Sequence, residues 1–169
     1  EPTNPNKLGE MVKIGRRGSM TGRLTIIGVQ GHVAYPQRAN NPSTALVKIL
    51  KELKEIKFDN GTKDFQPTNL EITKINIDNF ADNVIPGLAN AKFNIRFNNK
   101  HTSSSIKKKI DRIIKKISNK NKSKYKIDYN VSGEAFLTKP NKTTFMIRDI
   151  IKKITKIKPQ LSTTGGTSD

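Results

Sequence analysis

"NVIPGLANAKFNIRFN", residues 83–98, decides the fold. From Leu88 onward, Ala89, Ala91, Phe93, Ile95 and Phe97 share one parity, and Asn90, Lys92, Asn94 and Arg96 share the other. Successive side chains of a strand point to opposite faces, so this alternation predicts a strand with one face in a core and one in water. Outward from it, "TNLEITKINI" (68–77) reads as a preceding strand whose Leu70 and Ile72 differ in parity from Ile75 and Ile77. A bulge or twist near Lys74 reconciles the two halves. On the other side, "SSSIKKKIDRIIKKIS" (103–118) sets Ile106, Ile110, Ile113, Ile114 and Ile117 along a helical stripe with lysines around it.

Three further elements complete the unit. "GRLTIIGVQ" (22–30) is β-branched and ends near glycine, as a strand would. "NPSTALVKILKELKEI" (41–56) offers Asn41 as N-cap, Pro42 at the first helical position, and Leu46, Ile49, Leu50, Leu53 and Ile56 at helical spacing. "KYKIDYNVS" (124–132) alternates again through Tyr125, Ile127, Tyr129 and Val131. The order is β-α-β-β-α-β, so the expected class is α+β with a ferredoxin-like, or split βαβ, unit over residues 18–133. Residues 1–17 are loop-like, and 134–169 carry a helix around "TTFMIRDIIKKITKI". Neither flank can bury a core alone, so both are read as pieces of a second domain into which the unit is inserted.

The 169 residues carry a net charge of +18 and no cysteine. A disulfide framework and a thiolate metal site are therefore excluded within the chain, and a cytoplasmic setting fits. No run approaches the roughly 18 apolar residues a membrane span needs, so no membrane is expected as partner. Such charge raises nucleic acid as a partner. Lys, Asn and Ile are, however, abundant everywhere, loops such as "SNKNKSKYK" included, which a general compositional bias explains equally well. The β-α-β-β-α-β order also belongs to the RNA-recognition fold, which stacks bases on exposed aromatics. Here Phe93 and Phe97 fall on the apolar parity and the K/R-G-F/Y-G-F-V pattern is missing, so nucleic acid is not the expected partner.

With two histidines, a self-contained metal site is not expected. His101, in the polar stretch "NNKHTSSS", reads as a solvated loop residue. His32 stands in "GVQGHVAYP" (28–36), where Gly28 and Gly31 permit tight or left-handed backbone and Pro36 ends the strand. Spacing alone leaves two readings for it: a structural histidine, or an acid, base or oxyanion donor at a strand end. Tyr35 fits either core or contact. Arg16 and Arg17 lie at the junction before the unit and Arg96 on the polar face of the third strand. Solvated surface is the plain reading for each, and convergence on a carboxylate is the alternative, which spacing does not require. "TTGGTS" could be an ordinary loop or an anion-binding backbone nest.

"EPTNPNKLGE" with "GRRGSMTG", "GVQGHVAYP" followed by "ANNP", then "DNVIPG", "FNIRF", "SGEAFLT" and "KPQLSTTGGTSD" occur in this order over essentially the whole chain. Together they resemble the succinyl-diaminopimelate desuccinylases, within the dinuclear-zinc metallopeptidases and deacylases. The resemblance implies a two-domain enzyme in which a ferredoxin-like lid and dimerisation domain interrupts a zinc-bearing catalytic domain. The chain is then expected to be an internal fragment, with catalytic-domain pieces at 1–17 and 134–169, inactive by itself. The implied reaction is hydrolysis of N-succinyl-LL-2,6-diaminoheptanedioate to succinate and LL-2,6-diaminoheptanedioate in lysine and diaminopimelate biosynthesis. A related N-acyl-amino-acid deacylase is the alternative.

The same resemblance implies two zinc ions per complete protomer, with cobalt an option in the second site, a small anionic substrate and a homodimer. It assigns Glu1 as a metal ligand. Arg16, Arg96, Gly166 and Thr167 match positions that bind substrate carboxylates, and Tyr35 matches a substrate contact. His32 matches a catalytic histidine delivered into the partner's active site as an oxyanion donor. Asn83 lies in the matching partner-supplied loop. One departure stands out: the family commonly has two asparagines before "VIP", whereas this chain has Asp82 and then Asn83. A carboxylate there could repel an anionic substrate.

Overall fold

The computed structural model describes residues 6–79 and 81–164. In chain order the elements are β1 (Met11–Lys13), β2 (Gly15–Arg16), β3 (Gly18–Ile27), β4 (Gly31–His32), α1 (Pro42–Lys54), β5 (Asn69–Asn76), β6 (Val84–Ile85), β7 (Leu88–Phe97), α2 (Ser103–Lys120), β8 (Lys124–Gly133), β9 (Phe136–Leu137), α3 (Lys142–Thr155) and β10 (Gln160–Ser162). Strands β5-β7-β3-β8, in that spatial order, form one antiparallel sheet. With α1 and α2 as the two connections, this is the ferredoxin-like arrangement expected from the sequence.

The alternation in β7 is realised in full. Ala89, Ala91, Phe93, Ile95 and Phe97 are buried against the helices, with Met20, Leu24 and Ile26 of β3 beside them. Leu46, Ile49, Leu50 and Leu53 of α1 and Ile106, Ile110 and Ile114 of α2 close the core from one side. Burial of Phe93 and Phe97 leaves no aromatic platform on β7 for stacking bases, against the RNA-recognition alternative. The parity conflict in β5 resolves as a register shift between Ile72 and Lys74, where the bulge was expected.

β3 begins at Gly18, ahead of the expected start at Gly22, and ends at Ile27. The role of Gly18 and Gly22 in this strand is space. A Cβ on Gly18 would lie 2.2 Å from the Phe97 ring, and one on Gly22 would lie 2.3 Å from the Phe93 ring. The two phenylalanines of β7 therefore lie across the glycines of β3.

The helix caps follow the sequence. Asn41 accepts the Ser43 amide at the start of α1 with Pro42 following, and Thr102 with Ser105 makes a reciprocal capping box on α2. The two flanks pair with each other: β1 runs parallel to β10, and β2 antiparallel to β9. On α3, Phe145, Met146, Ile147, Ile150 and Ile154 are all exposed. Among the described residues no helix is long and apolar enough to cross a membrane.

Candidate functional site

Among the described residues, Arg16, Arg17 and Arg96 lie at one end of the sheet and His32, Tyr35 and Asn83 at the other. At one end, β7 places Arg96 opposite Ser19 of β3, and β8 places Gly133 on the other side of Ser19. Arg16, on β2, lies so close to Gly133 that a Cβ there would be 2.8 Å from its Nη2. Strand spacing of about 4.8 Å thus sets Gly133, beside the Arg16 guanidinium, roughly 10 Å from Arg96 across one sheet end. The Arg16 guanidinium lies 5.6 Å from the centroid of the Phe136 ring, and its Nε is buried without a hydrogen-bond partner.

Arg17 is the third guanidinium here. It donates to Asn69 Oδ1 at 3.0 Å, and burial followed by the like charge of Arg96 pushes its pKa down. Among the described residues no carboxylate pairs with Arg16, Arg17 or Arg96. A buried donor without a partner costs about 1–3 kcal/mol. Chemically such a cluster can receive an anion, since guanidinium takes a carboxylate through two parallel hydrogen bonds.

At the other end, beyond Ile27, the Gly28 amide donates to Gly87 O at 2.9 Å and the chain leaves the main sheet. The short β4 then pairs antiparallel with β6, with His32 opposite Val84. Val33 N donates to Asn83 O at 2.9 Å, and Asn83 Nδ2 lies 3.4 Å from His32 Nε2. The His32 and Tyr35 rings are 5.9 Å apart, and Pro36–Arg38 forms a short 3-10 turn. His32, Tyr35 and Asn83, separated by up to 51 positions in the chain, thus form one exposed tip.

The glycines of this tip serve close approach rather than left-handed backbone. Among the described residues the positive-φ glycines are Gly9 and Gly61. A Cβ on Gly28 would lie 2.0 Å from Asn40 O, and one on Gly31 would lie 2.8 Å from Ala39 Cβ.

The tip also assigns the imidazole its tautomer. Ala34 N–H donates to His32 Nδ1 at 3.1 Å. A ring nitrogen that accepts carries no proton, so the neutral ring bears its proton on Nε2 and offers it outward. Asn83 then faces Nε2 best through its amide oxygen, the flipped assignment of its side chain.

Sequence reading missed Arg38, whose guanidinium lies 5.4 Å from the Tyr35 ring centroid. The i,i+3 spacing in "YPQR" is the only signal that could have found it. His101, read as a solvated loop residue, is instead part-buried with Nε2 3.1 Å from Asp59 Oδ2. Glu1, Gly166 and Thr167 lie outside the described residues, and so does any geometry of a site they build. Among the described residues no three His, Asp or Glu side chains converge as they would on a metal ion.

A basic sheet end and a histidine-bearing tip thus stand at opposite ends of one ferredoxin-like α+β unit. The chain belongs to the peptidase dimerisation domain family, whose model matches residues 14–122. It is 79% identical over all 169 residues to the succinyl-diaminopimelate desuccinylase of Pelagibacter ubique, and 48% identical to that of Parvibaculum lavamentivorans. The chain spans 44% and 43% of those two proteins, less than half of each. Among solved structures it resembles an aminopeptidase PepT from Bacillus cereus (TM-score 0.76, 15% identity, 94% of this chain and 42% of that one). A tripeptidase from Staphylococcus aureus is similar (TM-score 0.75, 16% identity, 93% and 41%). At such identities the likeness speaks for the fold alone.

Proposed function

We propose that this chain is the lid and dimerisation part, with adjoining catalytic-domain segments at 1–17 and 134–169, of a metal-dependent amide hydrolase. The substrate we assign is N-succinyl-LL-2,6-diaminoheptanedioate, released as succinate and LL-2,6-diaminoheptanedioate. The names of its relatives support that choice. The uncovered apolar side chains of α3 support the reading of the flanks, since a catalytic domain would bury them.

The observation that carries the mechanism is the separation of the two groups. The ten residues of β3 lie between them, about 30 Å at the usual rise per residue. One substrate molecule cannot touch Arg16, Arg96 and His32 of the same copy. In a two-fold dimer formed through the ferredoxin-like unit, the tip of one copy instead reaches the arginine end of the other. There Arg16 and Arg96, with Gly166 and Thr167, bind substrate carboxylates and Tyr35 contacts the substrate. His32 Nε2–H donates to the oxygen that gains charge as the amide carbonyl is attacked. Asn83 holds the imidazole plane in the free tip and yields the Nε2–H to the substrate oxygen. Metal ions, when bound with Glu1 among their ligands, supply carbonyl polarisation and an activated water.

The test uses the full-length protein. His32→Ala is expected to lower kcat on the order of 100-fold with dimerisation and metal content unchanged. Mixing inactive His32→Ala dimers with inactive Arg96→Ala dimers should restore about a quarter of wild-type activity, because half the dimers are mixed and each has one intact composite site. No recovery after proven subunit exchange would place His32 in its own copy's site. Cleavage of another N-acyl amino acid, with no succinate released, would favour the related deacylase.

A further inference from the structure

Loop 55–68, between α1 and β5, is organised around one carboxylate that the proposed reaction does not use. Asp59 Oδ1 accepts the Gly61 amide and Asn98 Nδ2, each at 2.6 Å. Asp59 Oδ2 accepts the Thr68 amide at 3.2 Å and lies 3.1 Å from His101 Nε2, which must donate because a carboxylate only accepts. The Asp59 side chain is 5% exposed and Asn98 is fully buried. Lys100 Nζ donates to Gly61 O at 2.8 Å, and Asn98 N donates to Thr68 Oγ1 at 3.2 Å. The loop is thereby tied at both ends to the β7–α2 connection.

Its outer turn is equally ordered. Gly61 has φ of +80°, and Thr62 Oγ1 accepts the amides of Asp64 and Phe65. This turn presents Asp64 O to Thr163 Oγ1, which donates to it. Thr163 is buried, and on its other side Lys13 Nζ donates to Thr164 O while Ile14 N donates to Ser162 O at 2.9 Å. Between loop and strand lies a cavity of about 390 Å³ whose wall includes Arg17, Phe65, Gln66 and Thr163. Three residues past Thr164 in sequence comes Thr167.

We propose that Asp59 is a positioning residue: through the 60–66 turn and Asp64 O it holds Thr163, and so sets where the segment leading to Gly166 and Thr167 starts relative to the lid. This rests on the carboxylate-binding role assigned to that segment, and the lid orientation and the substrate loop become one mechanical unit. A buried, fully hydrogen-bonded carboxylate suits the task because no neutral side chain accepts from four donors at once.

The test is hydrogen exchange on the full-length protein together with steady-state kinetics. Asp59→Asn should raise amide exchange at least tenfold over Gln160–Thr164, with the amides of α1 and β7 unchanged. Thr163→Val, which keeps the shape but removes the donor, should loosen the same segment, and the double variant should add little to either. In turnover, both variants should raise KM about tenfold with kcat within twofold, as expected where substrate-carboxylate binding alone is weakened. Loosening confined to 59–68, with Gln160–Thr164 as protected as in the wild type, overturns the proposal whichever amide the enzyme cleaves. Additive effects of the two substitutions overturn it as well. Turnover of a different N-acyl substrate with the exchange coupling intact would instead refute the substrate assignment and leave the coupling standing.

Discussion

Asp59 shows how a single side chain can organise a loop that no periodicity describes. Burial by itself would push its carboxyl up. The hydrogen bonds from Thr68, Gly61 and Asn98 outweigh that effect and hold the pKa down at about 2, from an ordinary 3.8. Because the folded value lies below the unfolded one, the stabilisation is present at neutral pH and is lost as pH falls from about 4 to about 2. The difference amounts to about 2 kcal/mol. Urea unfolding from pH 7 to pH 2 should show the stability gap between wild type and Asp59→Asn narrowing by that amount. A gap constant with pH would mean the charge on Asp59 is not what its partners stabilise. In sequence, Asp59 reads only as part of the turn signal "DNGT", because its partners Asn98 and His101 lie 39 and 42 positions away. His101 was misread for the same reason: a polar context says nothing about a carboxylate arriving from a distant loop.

At the level of elements, β7 and α2 were legible because their apolar residues repeat at the period of the structure they form. β3 was legible only in part, since the residues that start it were chosen for the space they leave and not for strand propensity. Gly22→Ala tests this. The added methyl meets the ring of the fully buried Phe93, and overpacking of this kind costs about 1–3 kcal/mol. Chemical denaturation should register that loss, and Phe93→Leu should recover part of it in the double variant. If Gly22→Ala proves neutral alone, the ring moves freely and the glycine is there for another reason. The pairing of β4 with β6, which builds the His32 tip, was hidden because each strand has two residues and neither shows a pattern. The motif resemblance pointed to His32 and Asn83, whereas the Ala34 amide that fixes the tautomer is a backbone group that no side-chain motif encodes.

For the whole molecule, the proposed dimer requires one edge of the sheet to meet a second copy. The edges are β5 and β8, each hydrogen-bonded to one neighbour among the described residues. β8 presents Lys124 and Lys126 on its exposed positions, a common way to discourage edge pairing. β5 instead exposes Ile75 at 57%, with Ile77 just past its end. Helix α1 turns the same flank toward this edge: Lys54 Nζ donates to Leu70 O at 3.2 Å, and Val47, two turns earlier on that flank, is 65% exposed. A self-complementary, two-fold contact along β5 and α1 would cover all three apolar side chains and extend the sheet across both copies. Ile75→Lys in the full-length protein should therefore raise the dimer dissociation constant on the order of 100-fold, as read by sedimentation equilibrium. If His32 works in the partner's site, specific activity of that variant should fall on dilution in step with the dimer fraction. Dimers that survive the substitution unchanged would move the interface to β8, and activity that persists in the monomer would return His32 to its own copy.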